Sequence, residues 1–309
     1  MSHLFKLLFL STSLVFISAC KNNHHIKTDK FIEPLVTVQW LKTHLNDSDL
    51  VLLDTSVTIN SDGKGGFNQV SGQEQYDLEH IPNAGFADLM GKLSAESDVD
   101  FIMPSAEQFQ KAMSELGVGD NSRVVLYSSN NNVWAARLWW MLRWAGFDNV
   151  AILDGGLKAW KNQGFELSTD KVTRSPQKFS LSLRPEMIAD RDEVFASINN
   201  NQIELYDAMP GPHYQGIFSM YSRPGHIVSA KSLPSSELVE DSGLFRALDE
   251  VDLLLDGQQQ NRTITYCGGG VAASSLAFTL FRLGYKDVAV YMGSLQEWSA
   301  NQENPMTVK

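Results

Sequence analysis

The chain has 309 residues, of which 43% are hydrophobic and 20% are charged, and it carries a formal net charge of −11 at pH 7. This length and apolar content allow large hydrophobic cores and are typical of a folded protein with two domains. The acidic balance argues against a nucleic acid or an anionic lipid surface as a partner, and a small anionic substrate would need a locally positive pocket.

The N-terminal segment is typical of an export signal. Lys6 precedes an apolar stretch over residues 7–17, which is too short to cross a membrane as a helix. A serine and an alanine then come directly before Cys20, an ending that resembles the lipobox of bacterial lipoproteins. We therefore expect a signal peptide over residues 1–19, a lipid on Cys20 and a lipidated tether over residues 20–33. The alternatives are an ordinary signal peptide cut nearby or a short membrane anchor.

Lipidation would also decide where the protein lies and which thiols it keeps. The chain has two cysteines, so a lipid on Cys20 leaves Cys267 as the sole thiol and excludes an intramolecular disulfide. The membrane would then be contacted only through the N-terminal lipid. We expect a lipid-anchored protein of the bacterial cell envelope that faces the periplasm, and Lys21 after the lipidated cysteine favours the outer membrane.

An internal repeat follows the tether. The predicted elements of the first half are strands over residues 50–54 and 124–128 and a helix over residues 134–144. Those of the second half are strands over residues 203–207 and 263–266 and a helix over residues 272–283. Gly155 and Trp160 near the end of the first half correspond to Gly293 and Trp298 at a constant offset. The alternation of strands and helices predicts two α/β domains with parallel sheets.

The repeat sets the expected domain boundaries. They are a first domain over residues 34–167, a proline-containing polar linker over residues 168–185 and a second domain over residues 186–309. Ser128 of the first half occupies the position of Cys267, and no general base is evident near it, so we expect the first domain to be structural or pocket-forming. Four tryptophans of its helix are expected to pack in the core or between the domains: Trp134, Trp139, Trp140 and Trp144.

The second domain contains the most informative feature of the sequence, a cysteine that opens a glycine-rich turn between a strand and a helix. Cys267 precedes the start of that helix, where main-chain amides favour the thiolate, which is the nucleophilic form. A free thiol with a pKa near 8.5 is only about a tenth ionised at pH 7.5. The alternative is a buried cysteine that only packs. The amides expected to form the cradle belong to Gly268, Gly269, Gly270, Val271 and Ala272.

These motifs together resemble those of the rhodanese family. The pattern consists of Asp207 at the end of a strand, a turn that begins at His226, the cysteine loop 267–272 and the closing Gly-x-x-x-x-Trp. Two such halves with a cysteine only in the second are similar to the tandem sulfurtransferases, and the resemblance covers nearly all of residues 35–300. It implies an α/β fold of two tandem rhodanese-like domains, each a mostly parallel sheet flanked by helices.

The resemblance implies sulfur transfer through a persulfide. The Cys267 thiolate would take a sulfane sulfur from thiosulfate or 3-mercaptopyruvate and pass it to a thiophilic acceptor such as cyanide or a thiol. The loop is similar to the Cys-Gly-Ser-Gly-Val-Thr type of mercaptopyruvate sulfurtransferases, whereas thiosulfate-preferring rhodaneses carry arginine and lysine where Gly268 and Gly269 stand. No metal or organic cofactor is implied, and the oligomeric state is left open.

Donor recognition departs from the family pattern. Met209 stands where family members usually carry an arginine that faces the sulfur. Arg223 is the nearest remaining cation and could bind a carboxylate or sulfonate through two hydrogen bonds, with a solvated loop arginine as the alternative. Asp207 ends a strand at the sheet edge where ligands bind in open α/β sheets, and we expect it to order the loop backbone rather than to transfer a proton.

Other functions compete with sulfur transfer. A non-catalytic rhodanese-like sulfur carrier or binding lipoprotein is the main alternative, because the missing arginine would make turnover slow. A cysteine phosphatase needs Cys-x5-Arg, and Ala273 occupies the arginine position here, which excludes that class. A thioredoxin-like oxidoreductase is excluded because no Cys-x-x-Cys occurs.

Overall fold

The structure is a computed structural model that describes residues 31–61, 63, 67–97 and 99–308. From Phe31 onward the chain forms one compact unit. The predicted signal peptide, the predicted lipidation site at Cys20 and the tether up to residue 30 lie outside the described residues. None of the described helices is long and apolar enough to cross a membrane.

The first half is built on a five-stranded parallel sheet. The strands of the first half, including two that lie outside this sheet, are β1 (Leu35–Val36), β2 (Leu50–Asp54), β3 (Val57–Ser61), β4 (Phe67–Ser71), β5 (Ala84–Phe86), β6 (Arg123–Tyr127) and β7 (Val150–Leu153). Its helices are α1 (Val38–His44), α2 (Gln73–Leu78), α3 (Ala106–Glu115), α4 (Val133–Trp144) and α5 (Gly156–Asn162). The sheet order is β1-β7-β6-β2-β5, and β3 and β4 pair separately as an antiparallel hairpin. The residues of β2 and β6 are buried throughout, as expected for strands covered on both faces.

The second half repeats this sheet. Its strands are β8 (Ile188–Ala189), β9 (Ile203–Asp207), β10 (His226–Ile227), β11 (Lys231–Ser232), β12 (Arg262–Tyr266), β13 (Val288–Tyr291) and β14 (Met306–Thr307). Its helices are α6 (Arg191–Ser197), α7 (Gly211–Tyr214), α8 (Leu248–Asp252), α9 (Val271–Arg282) and α10 (Ser294–Trp298), with 3-10 turns at Pro185–Met187 and Ser235–Leu238. The parallel sheet has the order β11-β9-β12-β13-β8, which matches the first sheet strand for strand. The predicted α/β fold of two parallel-sheet domains is therefore confirmed.

The two halves pack through the helices that follow their central strands. Trp139 on α4 makes an edge contact with Phe278 on α9, with ring centroids 4.9 Å apart, and its ring lies 5.1 Å from that of Phe281. Trp139 and Trp140 are almost fully buried, so the expectation that these tryptophans pack inside the protein holds. Since α4 and α9 each begin at the loop after a central strand, their contact brings those two loops close together.

The predicted linker has no helix or strand before Pro185, but it packs closely against the first half. Phe179 is 3% exposed, and its ring lies 6.2 Å from Phe109 and 5.7 Å from Phe147. The amide of Gln177 donates to the carbonyl of Ser114 at 3.1 Å. Prolines and polar residues thus predicted an irregular segment, while its buried aromatic residue attaches it to the α3 side of the first domain.

Candidate active site

Cys267 lies between the end of β12 and the start of α9, as the sequence predicts. Its amide donates to the hydroxyl of Ser294 at 3.1 Å, and its carbonyl accepts from the amide of Leu295 at 3.0 Å. Ser294 has a positive φ of 50°, which is uncommon for a residue with a side chain. The residue at the corresponding place in the first half is Gly156, with φ 54°. The strained serine therefore supplies the acceptor that fixes the main chain of the cysteine.

The glycines after Cys267 make room for neighbouring side chains. A Cβ atom at Gly268 would collide with the hydroxyl oxygen of Tyr221, and one at Gly270 would lie 2.8 Å from a guanidinium nitrogen of Arg137. Gly270 also has φ 78°, a conformation that favours glycine. From the sequence alone, the glycines are expected to let main-chain amides approach the sulfur. The structure adds a second reason, which is the close approach of two side chains.

The amides of the loop remain available for a ligand. Within the described residues, the main-chain amides of 268–272 donate to no other protein group. In the first half the corresponding loop is occupied by its own side chains, because the amide of Ser129 donates to Ser56 at 2.8 Å and that of Val133 to Asn131 at 3.1 Å. The hydroxyl of Ser128 donates to the Asn131 carbonyl at 2.5 Å. The second loop therefore has all five of these amides free for an anionic sulfur, whereas two amides of the first loop are bonded to side chains.

Arg137 belongs to α4 of the first half, yet its guanidinium contacts the cysteine loop. Nη1 donates to the Gly270 carbonyl at 3.3 Å and to the sulfur of Met292, and Nη2 donates to the Phe101 carbonyl at 2.7 Å. Arg137 is 2% exposed. Burial lowers the pKa of Arg137 to about 10, and the neighbouring Cys267 acts in the opposite direction. The site is thus assembled from both halves of the chain.

Tyr221 approaches the loop from the connection between α7 and β10. Burial, together with the charges of Cys267 and Asp207, raises the pKa of Tyr221, so its hydroxyl is protonated at neutral pH. A protonated hydroxyl can donate a hydrogen bond to an anion bound over Gly268. The same connection exposes apolar side chains, with Ile217 75% exposed and Met220 54% exposed. Since Cys267 is only 2% exposed, this connection forms part of the cover over the thiol.

Asp207 holds the main chain and is not presented to a ligand. It is fully buried, and Oδ1 accepts from the amide of Met209 at 2.7 Å. Burial raises the pKa of Asp207 to about 6, against the hydrogen bonds from Met209 and Tyr266. The cysteine-free half has the same arrangement, because Asp54 accepts from the amide of Ser56 at 2.8 Å. The expectation that Asp207 orders the loop backbone fits this geometry, whereas donor binding by Asp207 does not.

His226 also has a structural counterpart in the first half. Its Nδ1 lies 2.7 Å from the carbonyl of Tyr214, and the two rings stack with centroids 3.5 Å apart. His80 and Tyr76 repeat both contacts, at 2.7 Å and 4.0 Å. Because the same two contacts occur in the half without a cysteine, they are not specific to the reaction. We therefore assign His226 a structural role in the turn.

The structure places the guanidinium of Arg223, the expected donor-binding cation, against main-chain carbonyls. Its guanidinium donates to main-chain carbonyls at the end of α10 and beyond, namely those of Trp298 (3.3 Å), Ser299 (3.0 Å), Asn301 (2.7 Å) and Asn304 (3.0 Å). These carbonyls satisfy its donors and tie the 219–223 segment to the C-terminal segment. Met209, at the position of the family arginine, is 8% exposed and brings no charge. The cation beside the cysteine is therefore Arg137, which lies 130 positions earlier in the chain.

Sequence reasoning missed Arg137, Tyr221 and Ser294. A weak signal existed for Arg137, a charged residue inside the apolar, tryptophan-rich helix α4. Ser294 could have been noticed as the one departure from glycine when Gly155-Gly156 is set against Gly293-Ser294. Nothing in the sequence indicates Tyr221, because a long irregular connection brings it to the loop. Among the described residues, no group of three or more His, Cys, Asp or Glu side chains could hold a metal ion.

Comparisons with known proteins agree with the geometry. The family model of the rhodanese-like domain matches residues 37–163 and 190–301. The thiosulfate/3-mercaptopyruvate sulfurtransferase 2 of Arabidopsis thaliana is 31% identical over 305 residues, which covers 89% of this chain and 86% of that protein. The 3-mercaptopyruvate sulfurtransferase of Escherichia coli K12 is 30% identical over 277 residues, with 88% and 96% covered. The crystal structure of SseA from Escherichia coli superposes with a TM-score of 0.74 at 29% identity, covering 85% of this chain and 99% of that one.

Proposed function

This chain belongs to the family of tandem rhodanese-domain sulfurtransferases, and we propose that 3-mercaptopyruvate rather than thiosulfate is its preferred sulfur donor. The protein is an enzyme that transfers sulfur, which sets aside the alternative of a non-catalytic carrier. The Escherichia coli relative, which covers 88% of the chain, is named for 3-mercaptopyruvate alone and supports this choice of donor, whereas the Arabidopsis relative is named for both donors.

The observation that carries the proposal is the charge of the cysteine loop. Gly268 and Gly269 follow the cysteine without a cation, and Tyr221 occupies the space into which a longer side chain at position 268 would extend. Arg137 brings one positive charge to the loop from the first half. Thiosulfate carries two negative charges and 3-mercaptopyruvate carries one carboxylate. Because this single cation lies beside the Cys267 thiolate, the loop has little net positive charge left for a donor and suits the monoanion better than the dianion.

The reaction consists of two half-reactions at Cys267. The thiolate attacks the sulfur of 3-mercaptopyruvate, a sulfur–sulfur bond forms, and the carbon–sulfur bond breaks with its electron pair going to carbon. The resulting pyruvate enolate takes up a proton at carbon, and the cysteine persulfide gives up its proton to remain as an anion. Cyanide or a thiolate then attacks the outer sulfur and restores the Cys267 thiolate. The free amides of residues 268–272 stabilise the anionic sulfur in each state.

Steady-state kinetics with both donors test the choice of substrate. The purified protein is assayed with cyanide as acceptor and either 3-mercaptopyruvate or thiosulfate as donor, and thiocyanate is measured. We expect kcat/KM to be at least about tenfold higher with 3-mercaptopyruvate, a difference of about 1.4 kcal/mol in transition-state stabilisation. Cys267→Ser is the control and should be inactive with both donors. Equal or higher efficiency with thiosulfate would contradict the proposal.

We also propose that the mature protein is anchored to the bacterial cell envelope through a lipid on Cys20. The support is the sequence alone: a short apolar stretch ends in small residues directly before this cysteine. The compact unit begins at Phe31, so about ten residues would separate the lipid from the folded part.

Cell fractionation tests the anchor. In bacteria that express the full chain, the protein is expected in the membrane fraction and to be extracted by detergent but not by high salt. Its intact mass after purification should include the lipid and lack residues 1–19. The Cys20→Ser variant should lose both properties, and a wild-type protein recovered without lipid in the soluble fraction would refute the anchor.

A further inference from the structure

We propose that Arg137, supplied by the cysteine-free half, is the counter-ion that holds Cys267 and its persulfide in the anionic form. Arg137 thereby acts as a positioning and electrostatic residue for the reaction. The inference requires that Cys267 reacts as a thiolate, but it does not depend on which donor supplies the sulfur.

Arg137 has no carboxylate counter-ion among the described residues. Within the described residues, Arg137 forms no ion pair with a carboxylate, and its guanidinium is bound only by two carbonyls and a thioether. The other deeply buried arginine, Arg123, pairs with Asp47 at 2.6 Å and with Asp49 at 2.7 Å. Buried cations are normally paired, because an isolated charge is costly to remove from water. A thiolate at Cys267 supplies the missing negative charge.

The guanidinium of Arg137 lies against the loop that contains Cys267. Arg137 donates to the carbonyl of Gly270, the residue that caps α9, so the guanidinium borders the loop in which the sulfur lies. The fixed fork of an arginine placed against the loop requires that residue 270 lacks a side chain, because a Cβ there would lie 2.8 Å from Nη1. An opposite charge held this close in a dry environment favours the ionised thiol.

The backbone of the first half is strained at the residue that binds Arg137. Phe101, whose carbonyl accepts from Nη2 at 2.7 Å, has a φ of 61°. A positive φ is a genuine outlier for a bulky residue and costs of order 1–3 kcal/mol. The Phe101 carbonyl belongs to the first half and the Gly270 carbonyl to the second, so both halves contribute to the placement of the guanidinium.

The other titratable groups around the sulfur do not replace Arg137. Tyr221 faces the loop from the α7–β10 connection and stays neutral, because burial and the charge of Cys267 raise its pKa. Burial raises the pKa of Asp207 at the end of β9 to about 6, and a carboxylate there would disfavour a second negative charge. Glu297 on α10 interacts with the hydroxyl of Tyr291. Arg137 is thus the cation among these groups.

The rate of alkylation of Cys267 as a function of pH tests the inference. The measurements use the full chain with Cys20→Ser, so that one thiol remains, and iodoacetamide as the probe between pH 5 and 10. We expect Arg137→Gln to raise the midpoint of the pH profile by at least one unit, and to slow alkylation at pH 7 at least about tenfold. Arg137→Lys keeps the charge and should restore most of the difference. Arg143→Gln, on the same helix but paired with Asp148 at 2.5 Å, should keep the original midpoint.

An equal midpoint in Arg137→Gln and in the parent protein would overturn the proposal. Should Arg137→Gln fail to fold, Arg137→Met, which fills the same buried space without a charge, is measured in the same way. An unchanged midpoint in that variant would equally overturn the proposal.

Discussion

At the scale of single residues, the site depends on two glycines that lack a side chain as well as on the side chains that pack against them. Gly268 and Gly270 follow the reactive cysteine, and each leaves space for one side chain from elsewhere in the chain, Tyr221 and Arg137 respectively. Ser294, by contrast, has a side chain despite its positive φ, and its hydroxyl accepts a hydrogen bond from the Cys267 amide. The nucleophile is therefore positioned by contacts that its own sequence neighbourhood does not contain.

Gly268→Ala tests this packing. The new methyl group would collide with the Tyr221 hydroxyl, so the tyrosine must move, and we expect at least about a tenfold loss of kcat/KM and a destabilisation of about 1–3 kcal/mol. Gly211→Ala is the matched control, because a Cβ there meets no atom within 4 Å. In the double variant with Tyr221→Ala the stability loss should be smaller than the sum of the single losses. Additive losses would show that the two residues do not interact.

At the scale of elements, the contact between α4 and α9 joins the two sheets. Phe278 of α9 is fully buried, and its ring meets Trp139 of α4 at 4.9 Å and Phe245 at 5.2 Å. Both helices start at the loops that follow the central strands β6 and β12. Packing of the helices therefore fixes the distance from Arg137 on one helix to the cysteine loop before the other.

Phe278→Ala should weaken this contact. We expect the free energy of unfolding to fall by about 3–5 kcal/mol, because the truncation removes buried aromatic surface and leaves a cavity. Urea unfolding followed by tryptophan fluorescence measures the change. Phe195→Ala, at a residue that is 53% exposed, should cost less than about 1 kcal/mol. Similar costs for the two variants would argue that the α4–α9 contact contributes little.

At the scale of the whole molecule, the cysteine-free first half contributes a residue to the site in the second half. Its own loop is closed by internal hydrogen bonds, with the hydroxyl of Ser128 donating to a main-chain carbonyl. It nevertheless delivers a buried cation to the other half, supported by the carbonyl of Phe101. The two similar domains are therefore not interchangeable, since one carries the nucleophile and the other carries its partner charge.

Deletion of the first half tests whether the second half needs Arg137 and the α4 surface for activity. A chain of residues 186–309 keeps Cys267 and its glycine loop but lacks Arg137 and the α4 surface that covers α9. We expect at least about a hundredfold loss of thiocyanate formation from 3-mercaptopyruvate, together with aggregation driven by the exposed apolar face. Circular dichroism reports whether the fragment folds. Full activity of the isolated second half would show that the first half is dispensable.

The sequence by itself determined the repeat, the α/β class and the reactive cysteine. Each of these follows from local patterns: apolar runs of strand length, helices closed by glycine, and a thiol at a strand-to-helix turn. The element bounds agree to within a residue or so where Cys267 lies, since α9 begins at Val271 against a predicted start at residue 272. Such features depend on neighbours in sequence, and a sequence displays them directly.

Only the tertiary structure decided which side chains surround the sulfur. Arg223 lies nearer to Cys267 in sequence than Arg137 does, but its guanidinium donates to the carbonyls after α10. Arg137 contacts the cysteine loop across the α4–α9 contact. Asp207 accepts a hydrogen bond from the main chain, and its equivalent Asp54 accepts the same bond in the half without a cysteine. The physical reason is that a buried charge is placed by packing between distant elements, and sequence separation contains no measure of that packing.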